Sequence, residues 1–184
     1  MKPSLATRSG KLISLFDPNP DHFTLQDIAW GLARAMRFAG QIDMTVAQHS
    51  VNVRLVVETL GGDRAAQKAA LFHDASEFLI SDIPRPLKQL LPQYYEVEDK
   101  VMQAIAIKFD FQWPLPPVVK KADEMMLVTE ARRFLHPDVQ YAISPEYGFP
   151  ADLDAHTVPP GEWLDMPLGH SGAAKLWLDE ALSF

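Results

Sequence analysis

The chain has 184 residues, 47% of them hydrophobic and 22% charged, and a net charge of −7. That length and apolar content fit a single domain with a sizeable core and exclude global disorder, while the acidic balance, with no basic face in view, excludes a grip on long nucleic acid. There is no cysteine, which excludes disulfides, thiol nucleophiles and cysteine-held zinc, so any metal must be held by imidazole and carboxylate.

Residues 1–23 read as an extended, turn-rich lead-in, with Asp17-Pro18-Asn19-Pro20-Asp21 as turn chemistry. Thr24 is an N-cap signal, and Leu25, Ile28, Ala29, Leu32 and Met36 follow helical spacing, predicting a first helix that ends near Phe38-Ala39-Gly40. Thr45 caps a second helix whose apolar positions run from Val46 to Leu60, stopped by Gly61-Gly62. A third helix is expected from about Asp63 to Leu79; its Ala69-Ala70-Leu71-Phe72 stretch is apolar on nearly all sides, which makes it the central helix of the expected bundle.

The prolines of Ser81-Asp82-Ile83-Pro84-Arg85-Pro86 dictate a loop, followed by a short helical piece to Leu91. Long helices are expected over residues 93–109 and 116–135. Residues 136–168, rich in Pro, Gly, Asp and His, read as irregular, and a short amphipathic helix closes the chain from Ser171 to Leu182. Strand patterns are weak everywhere, so the expected fold is all-α: one compact helical bundle spanning residues 1–184, with a core over about 24–135 and an irregular extension with a C-terminal helix over 136–184. Tyr141, Tyr147, Phe149 and Trp163 favour a packed lid over a flexible tail, so this extension is expected either to cap the pocket or to build an oligomer contact. His136, His156 and His170 lack metal-ligand spacing and read as surface histidines. No run of about 20 apolar residues could span a bilayer and none resembles a signal peptide, so no membrane partner and a cytoplasmic location, in a bacterium or a phage-infected cell, are expected.

His73 and Asp74 lie in an apolar segment, where two adjacent polar groups need either hydrogen-bond partners or a cation. Glu77, four residues on, is expected on the same helix face, and Asp82 follows past the helix end. Four acidic or imidazole groups between residues 73 and 82 favour a metal site, and such ligands suit Mg, Mn, Fe, Co, Ni or Zn. His49 and Asp123 are further polar islands in apolar surroundings.

The ordered set Ala47-Gln48-His49-Ser50, Leu71-Phe72-His73-Asp74-Ala75-Ser76-Glu77, Asp82-Ile83-Pro84-Arg85-Pro86-Leu87-Lys88 and Lys121-Ala122-Asp123 resembles the HD superfamily of metal-dependent phosphohydrolases. It is most similar to the bacterial deoxynucleotidases and the phage dATP triphosphohydrolases. The resemblance covers roughly residues 24–135 and implies an HD-type bundle with one divalent cation on His49, His73, Asp74 and Asp123. It gives Glu77 the part of a general acid/base and Asp82 that of a water-positioning acid. Arg37 matches a phosphate clamp and Phe38 the aromatic residue beside it, where Trp is expected, so the contact to sugar or base differs; Arg34 is the rival for the clamp. Ile83 and Pro84 are candidates for base contacts, and Lys88 and Lys121 for added charge near the phosphates.

The implied reaction is hydrolysis of the phosphoester of a small-molecule deoxynucleotide, releasing phosphate from a monophosphate or triphosphate from a triphosphate such as dATP. Arg34, Arg37, Arg85, Lys88 and Lys121 supply cations enough for either. The competing readings are a cyclic or signalling nucleotide hydrolase and a non-catalytic nucleotide-binding module. The resemblance also implies a homo-oligomer.

Overall fold

The computed structural model describes residues 3–184. It is an all-helical fold carrying one small hairpin. The lead-in forms that hairpin, with β1 (Ser4–Ala6) antiparallel to β2 (Leu12–Ser14) and Leu5 opposite Ile13. The lead-in is thus extended and turn-rich as expected; its alternation is too short to register as strand in so brief a pair, and the hairpin is fixed by tertiary bonds. Ser9 donates from its backbone N and its hydroxyl to the Asp27 carboxylate, at 3.0 and 2.5 Å, and the Thr24 hydroxyl donates to it at 3.0 Å.

Helix α1 (Leu25–Leu32) begins where expected, with the Thr24 hydroxyl accepting from Asp27 N. It stops well short of the expected end near residue 38. The chain instead leaves the helix and folds back, so that Met36 bridges to Thr45, Arg37 N donates to Met44 O at 2.8 Å and Val46 N to Ala35 O at 2.9 Å. Phe38 and Ala39 both take positive φ (52° and 53°), a conformation costly for side-chain-bearing residues. Apolar spacing continued through this turn and disguised it as helix.

Helix α2 (Val46–Thr59), capped by Thr45, is the central element. Residues 46–53 are buried without a break, polar ones included, with α3 (Arg64–Leu71), α7 (Pro117–Phe134) and α8 (His170–Leu182) packed around them. The centre therefore lies one helix earlier than expected. On one side of α2 the core gathers Ile28, Leu32, Phe72, Met102, Ile105 and Trp177; on the other it gathers Met44, Val57, Ala69, Val119, Met126 and Trp163.

The expected third helix is broken. It runs only to Leu71; residues 72–76 then wind in tighter turns, with His73 N on Ala70 O and Ala75 N on Phe72 O, before α4 (Glu77–Ile80) starts. Phe72 anchors this break in a ring cluster with Phe109, Phe111 and Trp177, each centroid 5.1 to 5.4 Å away. Helix α5 (Arg85–Lys88) is one turn, and α6 (Pro92–Phe109) and α7 match the expected long helices. No helix among the described residues is long and apolar enough to cross a membrane.

The extension is irregular, with two 3-10 turns at Pro137–Ala142 and Pro145–Tyr147, yet it is stapled to the bundle. Gln48 on α2 donates to Leu164 O and Met166 O and accepts from Leu168 N, all at 2.9 Å. One turn on, Asn52 accepts from Leu164 N at 2.9 Å. Buried amides that satisfy loop backbone avoid the penalty of unpaired polar groups and fix the loop's path.

Glycine 31 sets where α4 lies. A Cβ there would stand 2.5 Å from the Phe78 carbonyl oxygen, so α1 and α4 approach closely only because this side chain is absent. Gly31→Ala is expected to lower stability by about 1–3 kcal/mol in urea unfolding, from overpacking; a change under about 0.5 kcal/mol would mean the contact relaxes freely. Asp27 supplies a pH test. Burial opposes its ionisation, but the hydrogen bonds from Ser9 and Thr24 outweigh it and hold the carboxyl below its usual range. A lowered folded pKa stabilises above the unfolded value, near 3.9, and that contribution vanishes as pH falls through the folded one. The stability gap between the wild type and Asp27→Asn should therefore be full at neutral pH and shrink below about pH 4.

Candidate metal centre

Four elements bring the candidate residues together. His49 lies one turn into α2, His73 and Asp74 on the tight turns after α3, Glu77 at the start of α4 and Asp123 two turns into α7. His49 Nε2 is 3.2 Å from Asp123 Oδ1 and 3.7 Å from Asp74 Oδ2, while His73 Nε2 is 3.1 Å from Asp74 Oδ2 and 3.8 Å from Asp123 Oδ1. The break after α3 makes this possible: the two adjacent residues turn toward one point instead of diverging around a helix. Glu77 is not on a continuous helix with His73, contrary to the expectation, and reaches the group from the next element.

Each imidazole is oriented by its far nitrogen. His49 Nδ1 donates to Glu130 Oε1 at 2.6 Å and His73 Nδ1 to Ala70 O at 2.8 Å. A carboxylate and a carbonyl can only accept, so both Nδ1 atoms carry protons and both Nε2 atoms are left to the centre. Both Nε2 atoms are buried and have no hydrogen-bond partner. Orphaned buried nitrogens of this kind are what a metal ligand looks like before the ion is counted. His49, His73 and Asp123 offer ligand atoms all within 4.8 Å of one another and can hold a metal ion.

The electrostatics agree. Burial opposes charge on His73, but Asp74 and Asp123 draw its pKa well above the usual imidazole value; His49 is also raised, Glu130 and Asp123 outweighing burial and Arg37. Despite burial, the same imidazoles hold Asp74 down to about 2 and Asp123 well below the carboxylate range. Positive charge is thus favoured at one point among four side chains. Glu77 goes the other way: burial first, then Asp74 and Asp82, push its carboxyl well above the usual range, and its Oε2 is buried without a hydrogen-bond partner. Asp82 is raised by burial despite Arg37.

Glu130 is the residue that the sequence reading missed. It is fully buried, accepts from His49 Nδ1 and also accepts from Arg37 Nε at 3.0 Å. Its spacing of seven residues from Asp123 puts both on one face of α7, and that was the available signal. Arg37 is 8% exposed, lies 3.8 Å from Asp82, and lines a cavity of about 300 Å³ beside the centre. Phe38, Asp82, Pro84 and Arg85 line it too, and the extension contributes Tyr147, Gly148 and Phe149. Ile83 is outside the lining. So is Lys88, whose ammonium is 2.5 Å from Glu98. Arg34 lies on the Trp30 ring, 3.3 Å from its centroid, away from this cavity, and Lys121 is exposed. Of the three histidines of the extension, His136 is exposed, His156 half-buried, and His170 bonds Ala33 O at 2.6 Å.

Fold and site together define an all-helical protein with a buried His-His-Asp group able to hold a metal ion. The chain is 40% identical over 134 residues to YfdR of Escherichia coli strain K12, an uncharacterised protein, the match covering 70% of each chain. It is 33% identical over 135 residues, 67% of each chain, to an uncharacterised protein of Rhodobacter capsulatus. The chain belongs to the family of these two bacterial proteins. No protein-family model matches it.

Glu130→Gln removes the charge that orients His49 while keeping its shape. Divalent-ion affinity, measured by equilibrium dialysis with manganese, cobalt and zinc, is expected to fall about 10- to 100-fold with the helical circular dichroism retained. Unchanged affinity would show that His49 is not oriented through Glu130.

Proposed function

We propose that the protein is a metal-dependent phosphohydrolase of the HD type, acting on the phosphoester of a small-molecule (deoxy)nucleotide. The observation that carries this reading is the pair of buried, unpartnered Nε2 atoms of His49 and His73 facing Asp74 and Asp123, beside a cavity with a guanidinium wall. His49, His73, Asp74 and Asp123 would hold one divalent cation, and their mixed nitrogen and oxygen donors suit Mn, Fe, Co, Ni, Zn or Mg. Such an ion supplies positive charge to the phosphoryl oxygens and makes water a better nucleophile.

The chain's own residues provide the rest. Arg37, braced by Glu130, presents its outer guanidinium edge to the cavity as a phosphate clamp. Glu77, whose pKa is raised by burial and by Asp74 and Asp82, is suited to give a proton to the leaving ribose oxygen. Asp82, which lines the same cavity 3.8 Å from Arg37, takes the part of the acid that orients water. Phe38, Pro84, Tyr147 and Phe149 form apolar walls of the sort that accept a sugar and base.

The test is an assay of the wild type against deoxynucleoside mono- and triphosphates with Mg, Mn, Co and Zn, alongside Glu77→Gln. Phosphate or triphosphate release that drops about 10²- to 10⁴-fold in Glu77→Gln, with ion binding intact, is expected. Undiminished release in the variant would remove Glu77 from the mechanism, and no release from any nucleotide by the wild type would refute the reading.

A further inference from the structure

The cavity contains more cationic side chains on paper than it has cationic charge to offer. Arg37 Nε is 3.0 Å from Glu130, with Asp82 at 3.8 Å, so its charge is already shared between two acids. Asp74 and Asp123 together balance one divalent ion. Lys88 is bound to Glu98 at 2.5 Å, and Arg34 and Lys121 are outside the lining. Arg85 remains. Its side chain is 46% exposed, and among the described residues its nearest carboxylate is that of Asp123, at 3.9 Å, beyond hydrogen-bond reach. Its other terminal nitrogen rests on the Gly148 carbonyl at a long 3.3 Å.

That placement is informative on three counts. Arg85 is the second guanidinium lining the cavity, and it stands next to a residue of the candidate metal group. Its present partners are weak: one neutral carbonyl and one distant carboxylate. A phosphoryl oxygen would give a shorter, charge-assisted bond, so exchanging partners on binding is favourable. The carbonyl it would release belongs to the Tyr147–Phe149 wall, where Gly148 takes a positive φ of 88°.

We propose that Arg85 is a second substrate-anion ligand of this cavity beside the Arg37 clamp, moving from the Gly148 carbonyl onto the phosphoryl group, and that with only one cation not already paired the site is matched to a single phosphoryl group rather than to a polyphosphate chain. This rests on the phosphohydrolase reading for the reaction but not for the ligand. A triphosphate carries several further charges, and leaving them unpaired in a partly enclosed cavity is costly. The inference also corrects the sequence-level count of five useful cations: two line the cavity, and one of them is already paired.

The experiment is equilibrium binding of inorganic orthophosphate and of tripolyphosphate by calorimetry, on protein loaded with the divalent ion it retains best. The wild type, Arg85→Ala and Arg85→Lys are compared, with kcat and KM on nucleotides run beside them. Arg85 is partly exposed and short of strong partners, so both variants should fold, which thermal unfolding checks. Orthophosphate affinity is expected to fall about 10- to 100-fold in Arg85→Ala and to recover in part in Arg85→Lys. Tripolyphosphate is expected to bind the wild type no more than about tenfold more tightly than orthophosphate. Unchanged orthophosphate affinity in Arg85→Ala overturns the assignment, and a much tighter tripolyphosphate complex overturns the single-phosphoryl match. The two readings fail separately. Loss of phosphate binding in Arg85→Ala without any nucleotide turnover would keep Arg85 and remove the hydrolase; turnover with unchanged Arg85→Ala kinetics would do the reverse.

Discussion

One fully buried carboxylate organises this molecule. Glu130 accepts from His49 Nδ1 with one oxygen and from Arg37 Nε with the other. Burying a charge without partners is prohibitive, so Glu130 constrains both neighbours as strictly as they constrain it. Burial opposes its ionisation, but His49 and Arg37 hold its pKa below the usual carboxylate value. Three elements meet at this point: α7 carries the glutamate, α2 the histidine, and the loop after α1 the arginine. The orientation of His49 Nε2 toward Asp74 and Asp123, and of the Arg37 edge toward the cavity, both follow from it.

The surrounding backbone shows what the arrangement costs. Phe38 and Ala39 hold positive φ beside Arg37, and Ser81 does so immediately before Asp82. Each such side-chain-bearing residue carries roughly 1–3 kcal/mol of conformational strain, and all three flank groups that face the cavity. The strain is borne by close packing elsewhere: Phe72 among Phe109, Phe111 and Trp177 just before His73, and α4 pressed against α1 at Gly31. Strained turns at a site, held by a well-packed frame, fit a centre that needs side chains at fixed places rather than an optimal backbone.

Much of the fold was legible because its signals are local. Caps at Thr24 and Thr45, the proline break after Ser81, and the long helices up to Phe109 and Phe134 rest on residues near in sequence. What escaped depends on contacts between distant residues. The chain reversal at Arg37 is set by pairing with Met44 and Thr45, and the interruption at residues 72–76 by a ring cluster drawn from α6, α8 and the loop after α6. Apolar periodicity runs through both and cannot report them. In the site, ordered motifs pointed to His49, His73, Asp74 and Asp123, which the fold gathers. Glu130 stayed hidden because one glutamate in a long helix reads as surface, and Lys88 looked available because Glu98 is ten residues away.

The central claim is that two imidazole nitrogens, with carboxylate oxygens beside them, form one cation site. X-ray absorption at the edge of the metal retained by the purified protein tests it most directly. The expected result is one ion per chain with two imidazole nitrogens and the remaining ligands oxygen, the imidazole signal falling to one in His73→Gln. An oxygen-only shell, or a wild type that retains no divalent ion under any loading condition, would contradict it.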